Sequence, residues 1–141
     1  MNTIRVIGLP VAATTYEQAV GWILERATAA DRAYAVEAAN THVVTLARRN
    51  NGFGSSMQRF DLVVPDGMPL VWAINRKLPP AQRLTDRVYG PTLMLETLKA
   101  TQGRKEFRHF LLGGSPTTLT KLTAVFSHRY PGACISGTDS P

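Results

Sequence analysis

The sequence is poor in cysteine and has no long hydrophobic segment. Cys134 is the single cysteine among 141 residues, so no disulfide can form within the chain, which is typical of a reducing compartment. Because Cys134 lies in a short apolar run, we interpret it as a buried small residue rather than a nucleophile. No stretch approaches the roughly 18 apolar residues of a membrane span, and the first residues lack the pattern of a signal peptide. These absences predict a cytosolic chain, or one that lies on a membrane surface without crossing it.

Acidic residues are few relative to basic ones. The chain has 10 Asp and Glu against 16 Lys and Arg, a net charge of +6, and a pI near 10.0. This excess favours polyanionic partners such as phosphates or an anionic membrane, although a solvated basic surface explains it equally well. The basic residues are scattered, and the predicted strands lack an aromatic stacking pattern for RNA. We therefore expect no nucleic-acid partner.

Apolar β-type runs alternate with helix-period patterns along the whole chain. Strands are predicted at residues 4–9 (ended by Pro10), 34–38, 62–64, 107–112 and 133–136. Helices are predicted at residues 15–29, after Asn40, at 68–76, from Gly90-Pro91 to about Gly103, and from Ser115-Pro116 onwards. Thr14 and Glu17 are predicted to form a capping box at the start of the first helix. The last helix is predicted to face the core with Leu119, Leu122, Val125 and Phe126. Residues 50–56 are predicted to be a turn-rich loop.

This alternation predicts an α/β fold. We expect a Rossmann-like architecture, with a mostly parallel sheet and helices on both faces. The length suits a single domain over residues 1–141. Since the chain stops just after a predicted strand, where another loop and helix would be due, we expect this domain to be incomplete at its C-terminus.

The stretch from residue 61 to 75, DLVVPDGMPLVWAIN, is the most informative one. A buried apolar strand ends at Pro65, and a helix follows Asp66 and Gly67. In open α/β sheets, ligands bind at the carboxyl ends of the strands. Asp66 therefore has two interpretations: a general base that accepts a proton from an attacking hydroxyl, or the N-cap of the following helix.

Two other strand-end loops carry polar groups. Gly113, Gly114 and Ser115 form a glycine-containing turn before a helix, where free N–H groups favour an anion such as a diphosphate; the alternative is a tight turn with Ser115 as the cap. Asn40, followed by Thr41, could hold a sugar or nucleotide hydroxyl, or only cap its helix.

A polar loop and three histidines complete the candidates. Arg87 could neutralise a leaving phosphate or be a surface arginine. His42, His109 and His128 have no metal-ligand spacing, and His109 is most simply a satisfied core histidine. We predict no metal and no cofactor.

Several of these pieces follow one another in a recognisable order. They are Asn40 in a strand-end loop, Pro65-Asp66-Gly67 before an apolar helix, the run RVYGPTLM from Arg87, the run FLLGG from Phe110, and Tyr130-Pro131-Gly132. The ordered series, from about Ile4 to the last residue, resembles the WecG/TagA/CpsF glycosyltransferases. Ala38 and Thr92 depart from it, because the family usually has a threonine and an acidic residue at those positions.

The resemblance implies an inverting, metal-independent enzyme. It would transfer a sugar from a UDP-sugar to an undecaprenyl-diphosphate-linked acceptor for a cell-surface polysaccharide or teichoic acid. It implies that Asp66 is the catalytic base, that Asn40, Thr41, Gly67 and Arg87 bind substrate, and that Gly113, Gly114 and Ser115 bind the nucleotide.

The resemblance also implies a location and partners. The enzyme would be peripheral on the cytoplasmic face of the membrane. Family members continue past this chain's last residue, and exposed apolar helix faces in a truncated domain would favour a homo-oligomer. A non-catalytic nucleotide- or anion-binding α/β module remains the alternative function.

Overall fold

The computed structural model describes residues 1–29 and 31–141. It is a mixed α/β structure with six α-helices and short strands in small sheets across the described residues, consistent with the expected Rossmann-like fold. The chain divides into two compact units, Met1–Leu93 and Met94–Pro141. The prediction of one domain over residues 1–141 stays a prediction.

The first unit contains most of the secondary structure. Its elements are β1 (Thr3–Val6), β2 (Leu9–Ala12), α1 (Tyr16–Ala29), β3 (Val36–Ala39), α2 (Thr41–Arg49), α3 (Asn51–Met57), β4 (Leu62–Pro65), α4 (Met68–Asn75) and a 3-10 turn at Pro80–Gln82. Helix α5 (Gly90–Ala100) begins in this unit.

The N-terminal segment is a hairpin rather than the single strand predicted at 4–9. β1 and β2 pair antiparallel, with Val6 opposite Leu9. Ile7 and Gly8 both have positive φ, 49° and 93°, as the commonest two-residue hairpin turn requires. Pro10 was wrongly expected to end a strand; it lies inside β2, which is possible because proline is tolerated in an edge strand.

Helix α1 begins one residue later than predicted, with a shifted cap. Thr15 Oγ1 accepts a hydrogen bond from the Gln18 N–H, and Gln18 Oε1 accepts one from the Thr15 N–H. This reciprocal pair is the capping box, so its assignment to Thr14 and Glu17 was wrong. Thr14 is buried instead.

Residues 51–57 form helix α3, although a loop was predicted there. Asn50 caps the helix, its Oδ1 accepting from the Phe53 N–H over 2.9 Å. A Cβ at position 54 would lie 2.5 Å from the carbonyl oxygen of Ala47. Gly54, one of the glycines that suggested a loop, therefore permits a close contact between two helices.

The first unit is organised around the parallel pair β3–β4. All four residues of β4 are buried, as expected for a strand covered on both faces. One core cluster includes Val44, Leu70 and Ile74, and the other includes Ala19, Val64 and Leu93. Burial of each larger aliphatic side chain contributes roughly 1.5–3 kcal/mol.

The second unit pairs β5 (His109–Leu112) with β6 (Ile135–Asp139) in parallel, with helix α6 (Pro116–Arg129) between them in the chain. Leu98, Phe126 and Tyr130 form its core. Thr101 Oγ1 lies 2.8 Å from His109 Nε2, which agrees with a satisfied, partly buried histidine.

Two predictions about this second unit were wrong. Cys134 is exposed, because its neighbours Ala133 and Ile135 pack against the core and successive side chains in an extended segment alternate in direction. Val125 is 53% exposed rather than inward-facing.

No helix in the described part of the chain is long and apolar enough to cross a membrane.

Candidate active site at the carboxyl ends of β3 and β4

The parallel pairing of β3 and β4 places two predicted site residues side by side. Ala39 is opposite Pro65, and the Asp66 N–H donates to the Ala39 carbonyl over 2.9 Å. Asn40 and Asp66 are the residues that follow these strand ends. The structure therefore brings Asn40 and Asp66 together at neighbouring strand ends.

Asn40 is the N-cap residue of α2. Its Oδ1 accepts a hydrogen bond from the Val43 N–H over 3.1 Å, so the capping interpretation is confirmed. Thr41, the first residue of α2, is exposed beside it. The cap fixes the position of the Asn40 side chain at the strand end while leaving the residue exposed to solvent.

Asp66 is not the cap of the helix that follows it. The N-cap residue of α4 is Gly67, which is buried and makes no side-chain cap. The backbone N–H of Gly90, the first residue of α5, lies close enough to the carboxylate of Asp66 to lower its pKa. Oδ1 of Asp66 is buried and has no hydrogen-bond partner among the described residues.

Backbone contacts explain how Gly90 reaches Asp66. The Val88 N–H donates to the Pro65 carbonyl over 2.8 Å, and the Tyr89 N–H donates to the Tyr16 hydroxyl over 2.8 Å. A Cβ at position 90 would lie 3.1 Å from the Cβ of Ala38. The absence of a side chain therefore lets the start of α5 lie against β3.

The ionisation of Asp66 is shaped by opposing effects. Burial raises its pKa above the ordinary 3.8, while the Gly90 N–H and the positive charge of Arg87 lower it; burial prevails. An unpaired buried oxygen is costly, and a carboxylate with a raised pKa is better suited to accept a proton. Asp66 therefore has the chemistry of a general base.

Glu37 is a second carboxyl near Asp66 that the sequence analysis missed. Burial raises the pKa of Glu37, and the negative charge of Asp66 raises it further. The sequence feature that could have identified Glu37 is a charged residue inside the otherwise apolar strand β3, which was predicted only as a structural element.

Arg87 is exposed and lies close enough for its charge to act on Asp66. Its guanidinium carbon is 4.8 Å from the centre of the Tyr89 ring. Within the described part of the chain it takes part in none of the ion pairs. Its charge is thus available to an anion.

The glycine turn lies in the second unit. Gly113 and Gly114 have positive φ, 98° and 80°, and Ser115 caps α6 by accepting from the Thr118 N–H over 3.2 Å. The Gly113 N–H donates to the Asp139 carbonyl. The cap interpretation of Ser115 is confirmed, and nucleotide binding by these three residues stays a prediction.

Neither a metal-binding cluster nor the cavity described below marks this site within the described part of the chain. Among the described residues, no group of three or more His, Cys, Asp or Glu could hold a metal ion. A cavity of about 650 Å³ lies between the N-terminus, α1 and residues 78–85, and it does not include Asp66. We identify the candidate site by its chemistry, because an unpaired carboxylate oxygen identifies a reactive position more directly than volume does.

Comparison with known proteins identifies a family. A family model described as the glycosyl transferase WecG/TagA/CpsF family matches residues 4–141. No curated protein matches the chain significantly.

Proposed function

The chain belongs to the WecG/TagA/CpsF glycosyltransferase family, and from this membership and the environment of Asp66 we propose a specific reaction. A sugar is transferred from a UDP-sugar to an acceptor sugar carried on undecaprenyl diphosphate. The transfer inverts the anomeric centre, needs no metal, and serves the synthesis of a cell-surface polysaccharide or teichoic acid.

The observation that carries this proposal is the asymmetry of the Asp66 carboxylate. Oδ1 is buried without a hydrogen-bond partner among the described residues, whereas Asp66 as a whole is only partly buried. An acceptor hydroxyl that approached the accessible side of this carboxylate would donate a hydrogen bond to it. The same contact would orient the hydroxyl for attack.

The reaction is a direct displacement at the anomeric carbon. The acceptor oxygen forms a bond to that carbon as its proton passes to the Asp66 carboxylate. The bond from the carbon to the UDP oxygen breaks, and its electron pair leaves with the diphosphate. One displacement from the opposite face inverts the configuration.

Other residues support this step in the proposal. Arg87 binds the diphosphate and offsets the charge that develops on it. Asn40, Thr41 and Gly67, at the same strand ends, contact the substrate.

The remaining parts of the proposal concern the nucleotide and the location. Gly113, Gly114 and Ser115 contact the nucleotide through the turn that opens α6. The protein works peripherally at the cytoplasmic membrane face, because its acceptor is anchored there. We also expect it to form homo-oligomers.

The test is UDP release by the protein, with a panel of UDP-sugars and a polyprenyl-diphosphate-linked sugar. Asp66→Asn should lower the rate about 10²–10⁴-fold, because the amide cannot accept the proton. Glu17→Gln, the corresponding change at an exposed carboxyl of α1, should keep wild-type turnover. Full turnover by Asp66→Asn would refute the base role. UDP binding by the wild type with no transfer to any acceptor would instead favour the non-catalytic module.

A further inference from the structure

The first unit contains a cavity of about 650 Å³ to which the reaction proposed above assigns no role. It lies between helix α1, the N-terminal residues and the segment 78–85, and Asp66 is not part of its lining. Sites that bind small organic molecules have volumes of roughly 300–1,000 Å³. The cavity therefore has the size of a ligand-binding site.

One wall of the cavity is a single face of α1. Its lining residues on this helix are Gln18, Gly21, Trp22 and Glu25, which at 100° per residue form one stripe. Trp22 is partly buried, and its ring meets the Tyr34 ring edge-on, with the two centroids 5.8 Å apart. This contact fixes the indole at the wall, and we call the space the Trp22 cavity.

Gly21 is a glycine in the middle of α1 that neither packing nor backbone conformation requires. Glycine inside a helix lowers its stability relative to alanine. Gly21 is not among the glycines with positive φ, and a Cβ at this position would meet no atom within 4 Å. The missing side chain instead leaves room in the Trp22 cavity, so that a ligand can lie against the helix backbone.

The opposite wall, residues 78–85, is held in place by the protein itself. The Asn75 side chain donates to the Leu84 carbonyl and accepts from the Leu84 N–H, both over 2.8 Å. Pro79 and Pro80 restrict the backbone of the same segment. A preformed wall binds a ligand without the entropic cost of ordering a loop.

The polar side chains of this wall are available to a ligand. Gln82, Arg83 and Thr85 are exposed, line the cavity, and make no side-chain hydrogen bond or ion pair within the described part of the chain. Amide and hydroxyl groups both donate and accept hydrogen bonds. Arg83 and Glu25 are the charged side chains among the described lining residues, and their opposite charges favour an uncharged polar ligand.

We propose that the Trp22 cavity binds a carbohydrate, namely uncharged pyranose units of the acceptor that lie beyond the reacting hydroxyl. A pyranose has C–H groups that pack against an aromatic ring, and hydroxyls that donate and accept hydrogen bonds. Trp22 and the amide of Gln82 supply both kinds of contact. A nucleoside diphosphate is a poorer occupant, because the described lining contains one arginine and no lysine.

Both walls lead to residues near the candidate active site. Thr85 is two residues before Arg87, whose charge acts on Asp66. On the other wall, Thr15 precedes Tyr16, whose hydroxyl accepts from the Tyr89 N–H over 2.8 Å. The assignment of the sugar to the acceptor rests on the proposed function, whereas carbohydrate binding itself does not.

Fluorescence gives a direct test, because the chain contains only two tryptophans. In Trp72→Phe, which changes a side chain that is 61% exposed, Trp22 is the only indole emitter. The probes are cellobiose and the methyl pyranosides of glucose, galactose, mannose and N-acetylglucosamine. At least one should shift the emission of Trp22 to the blue, because a bound sugar displaces water from the ring. No shift with any of them overturns the proposal, as does a shift with UDP that excludes the sugar.

Filling the cavity should abolish this response. In the Trp72→Phe background, Gly21→Leu should remove the blue shift, while the midpoint of urea unfolding should rise because leucine favours a helix more than glycine does. Glu17→Leu is the control, since it places the same side chain at an exposed position of α1 outside the lining, and it should keep the shift. Saccharide binding by folded Gly21→Leu would overturn the proposal.

A polar variant tests the opposite wall without adding bulk to α1. Gln82→Leu should weaken saccharide binding about tenfold, because the hydrogen bonds of the amide are lost. Gln58→Leu, the same change at an exposed glutamine outside the lining, should bind like the parent protein. Equal affinities of the two variants would contradict a ligand contact at Gln82.

These outcomes are separable from those of the proposed function. Asp66→Asn should bind the saccharide like the wild type, and saccharide binding without transfer to any acceptor would keep the Trp22 cavity and refute the enzyme activity. With an acceptor that carries two or more sugars, Gly21→Leu should raise KM about tenfold at unchanged kcat. An unchanged KM would refute the acceptor assignment and leave the proposed function intact.

Discussion

The backbone N–H of Gly90 lies close enough to the carboxylate of Asp66 to lower its pKa, which brings the start of α5 to the end of β4. A helix N-terminus stabilises a nearby anion, yet burial raises the pKa of Asp66 on balance. Oδ1 of this carboxylate is buried and has no hydrogen-bond partner among the described residues. The following predictions test this arrangement and the packing that supports it.

Gly90→Ala should disturb both the fold and the site. Its Cβ would lie 3.1 Å from the Cβ of Ala38 and 3.9 Å from Asp66 Oδ2, and the Ala38 Cβ cannot rotate away. We expect a loss of about 1 kcal/mol in the free energy of unfolding by urea and a larger relative loss of UDP release. Gly21→Ala is the control, because Gly21 is an exposed position in α1 with open space around it; it should stabilise the protein by about 0.5–1 kcal/mol. Equal stability effects of the two changes would contradict the close contact at Gly90.

Glu37→Gln should change the pH dependence of the reaction. The negative charge of Asp66 raises the pKa of Glu37, and an interaction between two titrating groups acts on both of them. Removing the charge of Glu37 should lower the pKa of Asp66 and move the acidic limb of kcat/KM for UDP release to lower pH. Glu17→Gln, at an exposed position of α1, should leave the profile in place. An unmoved acidic limb in Glu37→Gln would show that the two carboxyls are not coupled.

Asp66→Asn should not weaken the fold at neutral pH. The raised pKa means that the folded state binds the Asp66 proton more tightly than the unfolded state does. This contribution to stability is lost as pH rises from 3.8 through the raised pKa. At pH 7 the wild type therefore carries a buried charge that the variant lacks.

Thermal unfolding across pH measures this difference. The Tm of Asp66→Asn should equal or exceed that of the wild type at pH 7. The difference in Tm between the variant and the wild type should become smaller as the pH falls towards 3.8. A large destabilisation at neutral pH would show that Asp66 is chiefly structural.

Gly54→Ala should disrupt the packing of α2 with α3. The added Cβ would lie 2.5 Å from the Ala47 carbonyl oxygen, a backbone atom that cannot rotate away. We expect a loss of about 2 kcal/mol or more in urea unfolding. Gly52→Ala meets only Asn50 Oδ1 at 3.4 Å and should change stability by less than about 0.5 kcal/mol. Similar effects of the two substitutions would contradict the observed helix contact.

Short sequence patterns were sufficient to predict features that depend on residues close together in the chain. The buried run before Pro65 predicted β4, and the side chains of Asn40 and Ser115 predicted two helix caps, because such caps depend on residues three positions apart. The same local reasoning failed at residues 50–56. Glycines indicate a loop on average, but Gly54 is needed for a contact with Ala47 from the preceding helix.

The sequence by itself determined the alternation of strands and helices, the buried strand that delivers Asp66, and the excess of positive charge. These follow from hydrophobic periodicity and composition, which act over a few residues. Only the tertiary structure decided which group Asp66 contacts, that Glu37 lies within its field, and that Trp72 faces solvent. The contacts of Asp66 join residues up to 29 positions apart, and the exposure of Trp72 depends on which side of its helix is covered. A linear sequence pattern contains neither the pairing register of the strands nor the packing partner of the helix.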